Sequence, residues 1–454
     1  MDIGADSQKI GSMGEGTDFF KSPHLSTSED DSYYQKIRPT TTLDSSSPIT
    51  YEFSTDDNHY FDISNCFHFL KFKIMKGDRI TEIPAPAAGA ADGDDQLVAP
   101  ISYFANTCFE NVELYLNSDL IETTNNLYPY KSYMQTVLSF GREVKKTQLE
   151  AAGYFEDTDS HDTNGIRSTM HQDACLNKGL RERYKLTRCS KPFTLIAPLH
   201  LDLVNQKRYI QNRTSVKIRM SRSDPKFALL ANANNKNFSF TIQEAYLMVR
   251  MVKPAPQLRA AVEEILESGS KLAEWPFKAI EMRYFSFPAN SNVMSETSLY
   301  SGNLPNRFCL GLVKTEALNG HWQKSALRFD HCNISEMDVR VNGQCITSDP
   351  IKLNIAQNDH ILPYFWAHQN TGGFLNNEAL ISYDQFVKGY NLFVFDITAD
   401  KEHGPDLFHP PKNGVISIDI RITDPPDTGY SLIGLFEKEK ILTCDKDRHY
   451  KIKG

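Results

Sequence analysis

Thirteen histidines and eight cysteines are the residues of this 454-residue chain suited to holding a metal or making a covalent intermediate. Either chemistry needs such side chains at set intervals or gathered around a base. The cysteines (Cys66, Cys108, Cys175, Cys189, Cys309, Cys332, Cys345 and Cys444) are scattered, and none lie at C-x-x-C spacing. His331 and Cys332 are adjacent, so on a strand they would point to opposite faces and could not share an ion. His59 and His68 fit no ligand spacing. The run 156–162 (Glu-Asp-Thr-Asp-Ser-His-Asp) gathers carboxylates that suit a hard cation. It lacks the spaced ligands and the turn glycine of a calcium loop, so it reads as a solvated loop. The chain has no phosphate-cradling G-x-x-x-x-G-K-[ST], no G-x-G-x-x-G after a strand, no H-E-x-x-H and no G-x-S-x-G. A cysteine–histidine pair that meets only in space stays open. No catalytic, cofactor-binding or metal residue is assigned, and no cofactor is expected.

The elements that would position such residues read as strands. A strand–turn–strand pattern occurs twice, as Leu-Tyr-Leu-Asn-Ser-Asp-Leu-Ile at 114–121 and Val-Arg-Val-Asn-Gly-Gln-Cys-Ile at 339–346, with Asn117 and Asn342 at the turns. Leu-His-Leu-Asp at 199–202 and Phe-Val-Phe-Asp at 393–396 keep the same order. One β unit used twice would explain both pairs. Leu70, Phe72 and Ile74 alternate with Lys71 and Lys73, and Ile416, Ile418, Ile420 and Ile422 alternate with Ser417, Asp419 and Arg421. Further strands are expected at 108–122, 193–204, 215–221, 238–252, 279–287, 307–313, 337–346 and 390–397.

Helical spacing is rarer. Tyr130, Tyr133, Met134, Val137 and Leu138 fall on one helix face between Pro129 and Gly141, a stripe suited to packing on a sheet. A second short helix is expected at 143–151 and a capped one at 382–389. Leu258, Val262, Ile265 and Leu272 keep helical spacing between Pro254 and Pro276, which predicts a connector helix over 254–276.

Length implies more than one domain. The expected division is a flexible N-terminal arm (1–47), a first β unit (48–253), the connector (254–276), a second β unit (277–436) and a charged surface tail (437–454). The arm is either disordered or ordered against a neighbouring subunit. Residues 84–95 read as an exposed low-complexity loop, and 153–190 and 357–382 as long loops. Net charge is −8, the wrong balance for a coat held to nucleic acid by clustered Lys and Arg. No run of 18 apolar residues occurs, so no membrane span is expected. The opening Met-Asp-Ile-Gly-Ala-Asp is no signal peptide, which favours reduced thiols in a cytosolic or nuclear setting. Three glycosylation sequons, at Asn212, Asn237 and Asn333, then read as chance matches.

Several stretches, in order along the chain, carry a resemblance. The segment 128–141 (Tyr-Pro-Tyr-Lys-Ser-Tyr-Met-Gln-Thr-Val-Leu-Ser-Phe-Gly) resembles the helix-bearing segment of hexon-like major capsid proteins, in particular those of Polinton/Maverick elements and adintoviruses. Residues 177–183 (Asn-Lys-Gly-Leu-Arg-Glu-Arg) are similar to a following loop, and 198–210 to the next strand. In the second half, 304–313, 317–320 and 389–398 are similar to the same family. The resemblance implies an all-β fold of two tandem eight-stranded jelly rolls, with a connector helix and short inserted helices. It implies a structural subunit, not an enzyme, that trimerises into pseudo-hexameric capsomers. These would tile an icosahedral shell around double-stranded DNA, with a penton or minor capsid protein as partner, no sequence-specific nucleic-acid binding and a place in the virion.

Two other classes stay in view. Double jelly-roll enzymes, the copper monooxygenases and glycan amidases, are secreted, and the copper enzymes cluster His or Met ligands that this chain lacks. A sugar-binding attachment protein would need exposed aromatics, for which Trp322 and Trp366 are the candidates.

Overall fold

A computed structural model of the chain describes residues 28–43, 47–87, 96–158, 177–232, 237–371, 380–401 and 407–453. Most of the 84–95 loop, residues 159–162 of the acidic run, Cys175 and residues 1–27 of the arm lie outside the described residues. Sixteen of the described strands form two copies of one plan. The first unit comprises β1 (Glu29–Ile37), β2 (Ile49–Ser54), β3 (Tyr60–Lys76), β4 (Phe109–Leu116), β5 (Asp119–Thr123), β6 (Phe193–Pro198), β7 (Ser215–Arg222) and β8 (Phe238–Pro254). The second comprises β9 (Ala273–Phe287), β10 (Val293–Asn303), β11 (Arg307–Lys314), β12 (Ile334–Val341), β13 (Gln344–Cys345), β14 (Leu392–Asp396), β15 (Asn413–Ile422) and β16 (Tyr430–Cys444). The sheets run β1-β8-β3-β6 and β2-β7-β4-β5, then β9-β16-β11-β14 and β10-β15-β12-β13, with antiparallel pairing throughout. Adding eight to each strand number turns one unit into the other. Two facing four-stranded sheets in this order make a jelly roll, so the chain is a double jelly roll.

The repeated turn has a physical basis. Asn117 and Ser118 have φ of 47° and 75°, and Asn342 and Gly343 have 52° and 82°. Asparagine and glycine tolerate that left-handed region, which a two-residue hairpin demands. Both asparagines also fasten the turn to the neighbouring strand. Asn117 Oδ1 accepts the Ser215 N–H at 2.7 Å, and Asn342 Oδ1 accepts the Val415 N–H at 2.9 Å. The second matched pair is less exact: 393–396 lie inside β14, whereas 199–202 lie beyond the end of β6 and lead into a 3-10 turn at Asp202–Asn205. The strand expected over 193–204 therefore stops at Pro198.

Between the sheets, alternation gives the core. Leu70, Phe72 and Ile74 are buried, as are Ile416, Ile418, Ile420 and Ile422. Helix α1 (Tyr128–Ser139) buries Tyr130, Tyr133, Met134 and Val137, and the 382–389 helix is Tyr383–Val387, held by a Ser382–Gln385 capping box.

Five expectations are corrected. Residues 177–183, placed in a loop, open helix α2 (Lys178–Thr187), where Asn177 caps the N-terminus by accepting the Leu180 N–H. The 357–382 loop contains helix α4 (Ile361–Gln369). The connector helix is shorter than expected: α3 is Pro256–Glu267, and Trp275 and Pro276 already belong to β9. The tail is no surface tail: 437–444 complete β16, and Tyr450–Lys453 pairs back on it, with Leu442, Cys444 and Tyr450 buried. Its Lys-Glu run reads as charged surface because only half of each strand's side chains need be apolar. The expected arm also holds strand β1, whose eight exposed residues show no alternation and which is ordered by backbone pairing with β8.

Candidate functional site: the junction and the assembly surfaces

The residues singled out for chemistry do not converge. His59 is paired with Asp56 at 2.7 Å. His68 lies fully inside the first jelly roll, against the rings of Tyr51 and Phe109, and burial pushes its pKa down to about 3. His331 and Cys332 lie in the turn before β12, where His331 Nδ1 accepts the Asn333 N–H, and burial raises the Cys332 thiol. Seven described cysteines are free thiols. Of the acidic run, Asp157 is bound by Arg183 at 2.9 Å and Glu156 by Gln385. Among the described residues no group of three His, Cys, Asp or Glu side chains is placed to hold a metal. Trp322 is buried against Phe238, and Trp366 is half-buried on α4, so neither is the open platform that sugar stacking requires.

What the fold does build is a junction between the units. Lys131 on α1 reaches Glu122 and Asp202, each at 2.6 Å, with all three side chains buried. Glu122 also accepts the Asp202 N–H, and Asp202 accepts the N–H of Ile280 on β9 at 3.0 Å. This cluster of the first unit thereby fixes the first strand of the second. Burial, and then the Asp202 carboxylate, push Glu122 up to about 7. Burial alone would lower the Lys131 pKa, but the two carboxylates raise it. Nearby, Lys145 donates to Val137 O and to Leu380 O of the second unit, and burial lowers its pKa to about 8. Arg183 donates to Pro100 O and Phe155 O as well as to Asp157, whose N–H reaches Tyr390 Oη.

Aromatic packing seals the same seam. Tyr130 and Tyr133 of α1 meet Phe329, with Tyr133 stacked at 6.4 Å. Phe329 can lie flat on β11 because Gly311 has no side chain: a Cβ there would come within 2.5 Å of its ring. A cavity of ≈ 650 Å³ remains between α1 and β9, lined by Leu138, Phe140, Phe277, Ile280 and Leu435 with Lys207 and Arg208. The C-terminal hairpin closes the far side. Arg448 binds Glu263 of α3 at 3.1 Å and Gln211, its carbonyl accepts from Asn117, and Tyr450 Oη meets Thr214 Oγ1 at 2.9 Å. Sequence reasoning missed these contacts because Lys131, Asp202 and Arg448 lie in stretches that look ordinary until the units meet.

The chain spans the whole of a known architecture. It aligns over its full length with a chain of the Sputnik virophage, covering 92% of that chain at a TM-score of 0.65 and 9% identity. The mavirus major capsid protein is matched over 100% of this chain and 96% of its own, at a TM-score of 0.53 and 11% identity. The Faustovirus major capsid protein is matched over 93% and 92%, at 0.56 and 9%. This is the fold of the double jelly-roll major capsid proteins. In sequence, the chain is 25% identical over 406 residues to the uncharacterized protein F54H12.2 of Caenorhabditis elegans, covering 88% of this chain and 91% of that one. No family model matches. No described helix is long and apolar enough to cross a membrane.

Proposed function

We propose that this chain is a major capsid protein of a double-stranded DNA virus or of an integrated element of the Polinton/Maverick and adintovirus kind. Its units are two jelly rolls, residues 29–254 and 273–453, joined by α3. Three copies make a pseudo-hexameric capsomer, and capsomers tile an icosahedral shell in the virion with a penton or minor protein at the vertices. The chain performs no catalysis and reads no nucleic-acid sequence. The observation that carries this is the coverage: two jelly rolls, with little added or missing, align end to end with capsid chains that are themselves covered by 92% or more. The relative in an animal, matched over 88% of this chain, favours the integrated-element form.

Multi-angle light scattering on the purified protein tests the proposal. A trimer is expected, with obligate interfaces of about 2,000–5,000 Å², and electron microscopy should show hexagonal capsomers. A monomer at micromolar concentration would overturn it.

A further inference from the structure

The sheets β9-β16-β11-β14 and β1-β8-β3-β6 share a strand order but not a cover. In the second unit, residues 308–313, 392–396 and 430–437 are buried without alternation, so both faces of that sheet are covered. The outward face is roofed by Phe329 and, over it, by α1 of the first unit. In the first unit, buried and half-exposed residues alternate along β3, β6 and β8. The outward positions are Phe67, Phe69, Ile196, Tyr246 and Met248. Strand register sets Phe69 between Tyr246 and Ile196, and Phe67 beside Met248, so the five form one patch. The Phe69 and Tyr246 rings stack at 4.2 Å, and Lys36 and Glu244 form an ion pair at the rim. A contiguous apolar patch with a polar rim is a contact surface.

The chain also carries a helix that fits it. Helix α1 lies in the connection between β5 and β6, and α4 lies in the matching connection between β13 and β14. Pro363, Ala367 and His368 of α4 face the body of the second unit. Ile361 and Leu362, at i and i+1, lie on the other side, with the half-buried Phe365 and Trp366 one turn on. Ile361 is 59% exposed and Leu362 45%.

We propose that α4 of a second copy seats on the outward face of β1-β8-β3-β6, repeating between chains the cover that α1 provides within one. This rests on the capsomer reading and names the surfaces that would hold it together. The contact uses different patches on the two partners, so it is head-to-tail and closes into a ring when the rotation allows.

Analytical ultracentrifugation of the full chain and three variants tests it. Phe69→Asp and Ile196→Asp each spoil the sheet face, and the double variant Ile361→Asp/Leu362→Asp spoils the helix patch. All three sites are solvent-facing, and far-UV circular dichroism identifies any variant that fails to fold, in which case the other face variant stands in. Each variant is expected to sediment as a single chain where the unaltered protein is fully assembled. An equimolar mixture of a face variant and the helix variant retains one intact pair of patches and is expected to form a two-chain species and nothing larger. Variants that assemble like the unaltered chain, or a mixture that stays single-chain, would overturn the inference while leaving the capsomer reading in place. An unaltered protein that is itself a single chain would sink both.

Discussion

The two jelly rolls share every sheet connection and differ in what lies against them. The second unit's β9-β16-β11-β14 sheet is buried on both faces, while the first unit's β1-β8-β3-β6 sheet keeps one face half-exposed. The cause lies in one connection. The β5–β6 connection of the first unit carries α1 and α2, and α1 is long enough to cross the seam and cover its neighbour. A duplicated fold thus becomes directional: one unit supplies a cover and the other receives it. That asymmetry suits a building block, because an identical pair of faces would satisfy itself within one chain.

The largest way to break the comparison is to remove the cation at the seam. Lys131→Met leaves Glu122 and Asp202 buried with no positive partner, and should cost about 3–5 kcal/mol in urea unfolding at neutral pH. The same cluster makes a pH prediction. The folded-state pKa of Glu122, about 7, lies above its ordinary value of 4.5. The folded chain therefore binds that proton more tightly than the unfolded chain. Its contribution is full below the unfolded value and is lost as pH rises through 7. Measured against Glu122→Gln, the unaltered protein should lose stability between pH 4.5 and 7, and parallel profiles would refute the assignment.

A smaller effect sharpens the difference between the sheets. Gly311→Val pushes Phe329 off β11 and should cost about 1–3 kcal/mol by overpacking. Lys71→Val, on the outward face of β3, should change the unfolding free energy by no more than about 0.5 kcal/mol, as an open surface permits. The smallest change would make the units more alike. Ser118 holds φ of 75° where the second unit has Gly343. Ser118→Gly relieves that conformation and should raise thermal stability by less than about 1 kcal/mol.

Much of the architecture was legible locally. The Asn117 and Asn342 turns and the strands around Leu70 and Ile416 were legible because alternation and turn chemistry are written in adjacent residues. Strands β1 and β10 were not, because polar edge strands are held by backbone pairing that leaves no apolar period. The Asn177 cap of α2 and the aromatic face of α4 lie in stretches whose periodic run is too short to announce a helix. The candidate site was the least legible part. Lys131, Glu122 and Asp202 are separated by ordinary sequence, and a buried charge declares itself only once its neighbours are known.

The amino-acid sequence by itself determined a β-rich chain built from a repeated unit, joined by a proline-bounded helix and lacking any motif for catalysis. Those properties depend on residues a few positions apart. Only the tertiary structure decided that the C-terminal residues complete a sheet, that a lysine of one unit anchors a strand of the next, and that one sheet face is covered and its counterpart left open. Those depend on which surfaces meet, and burial is a property of the meeting rather than of either stretch alone.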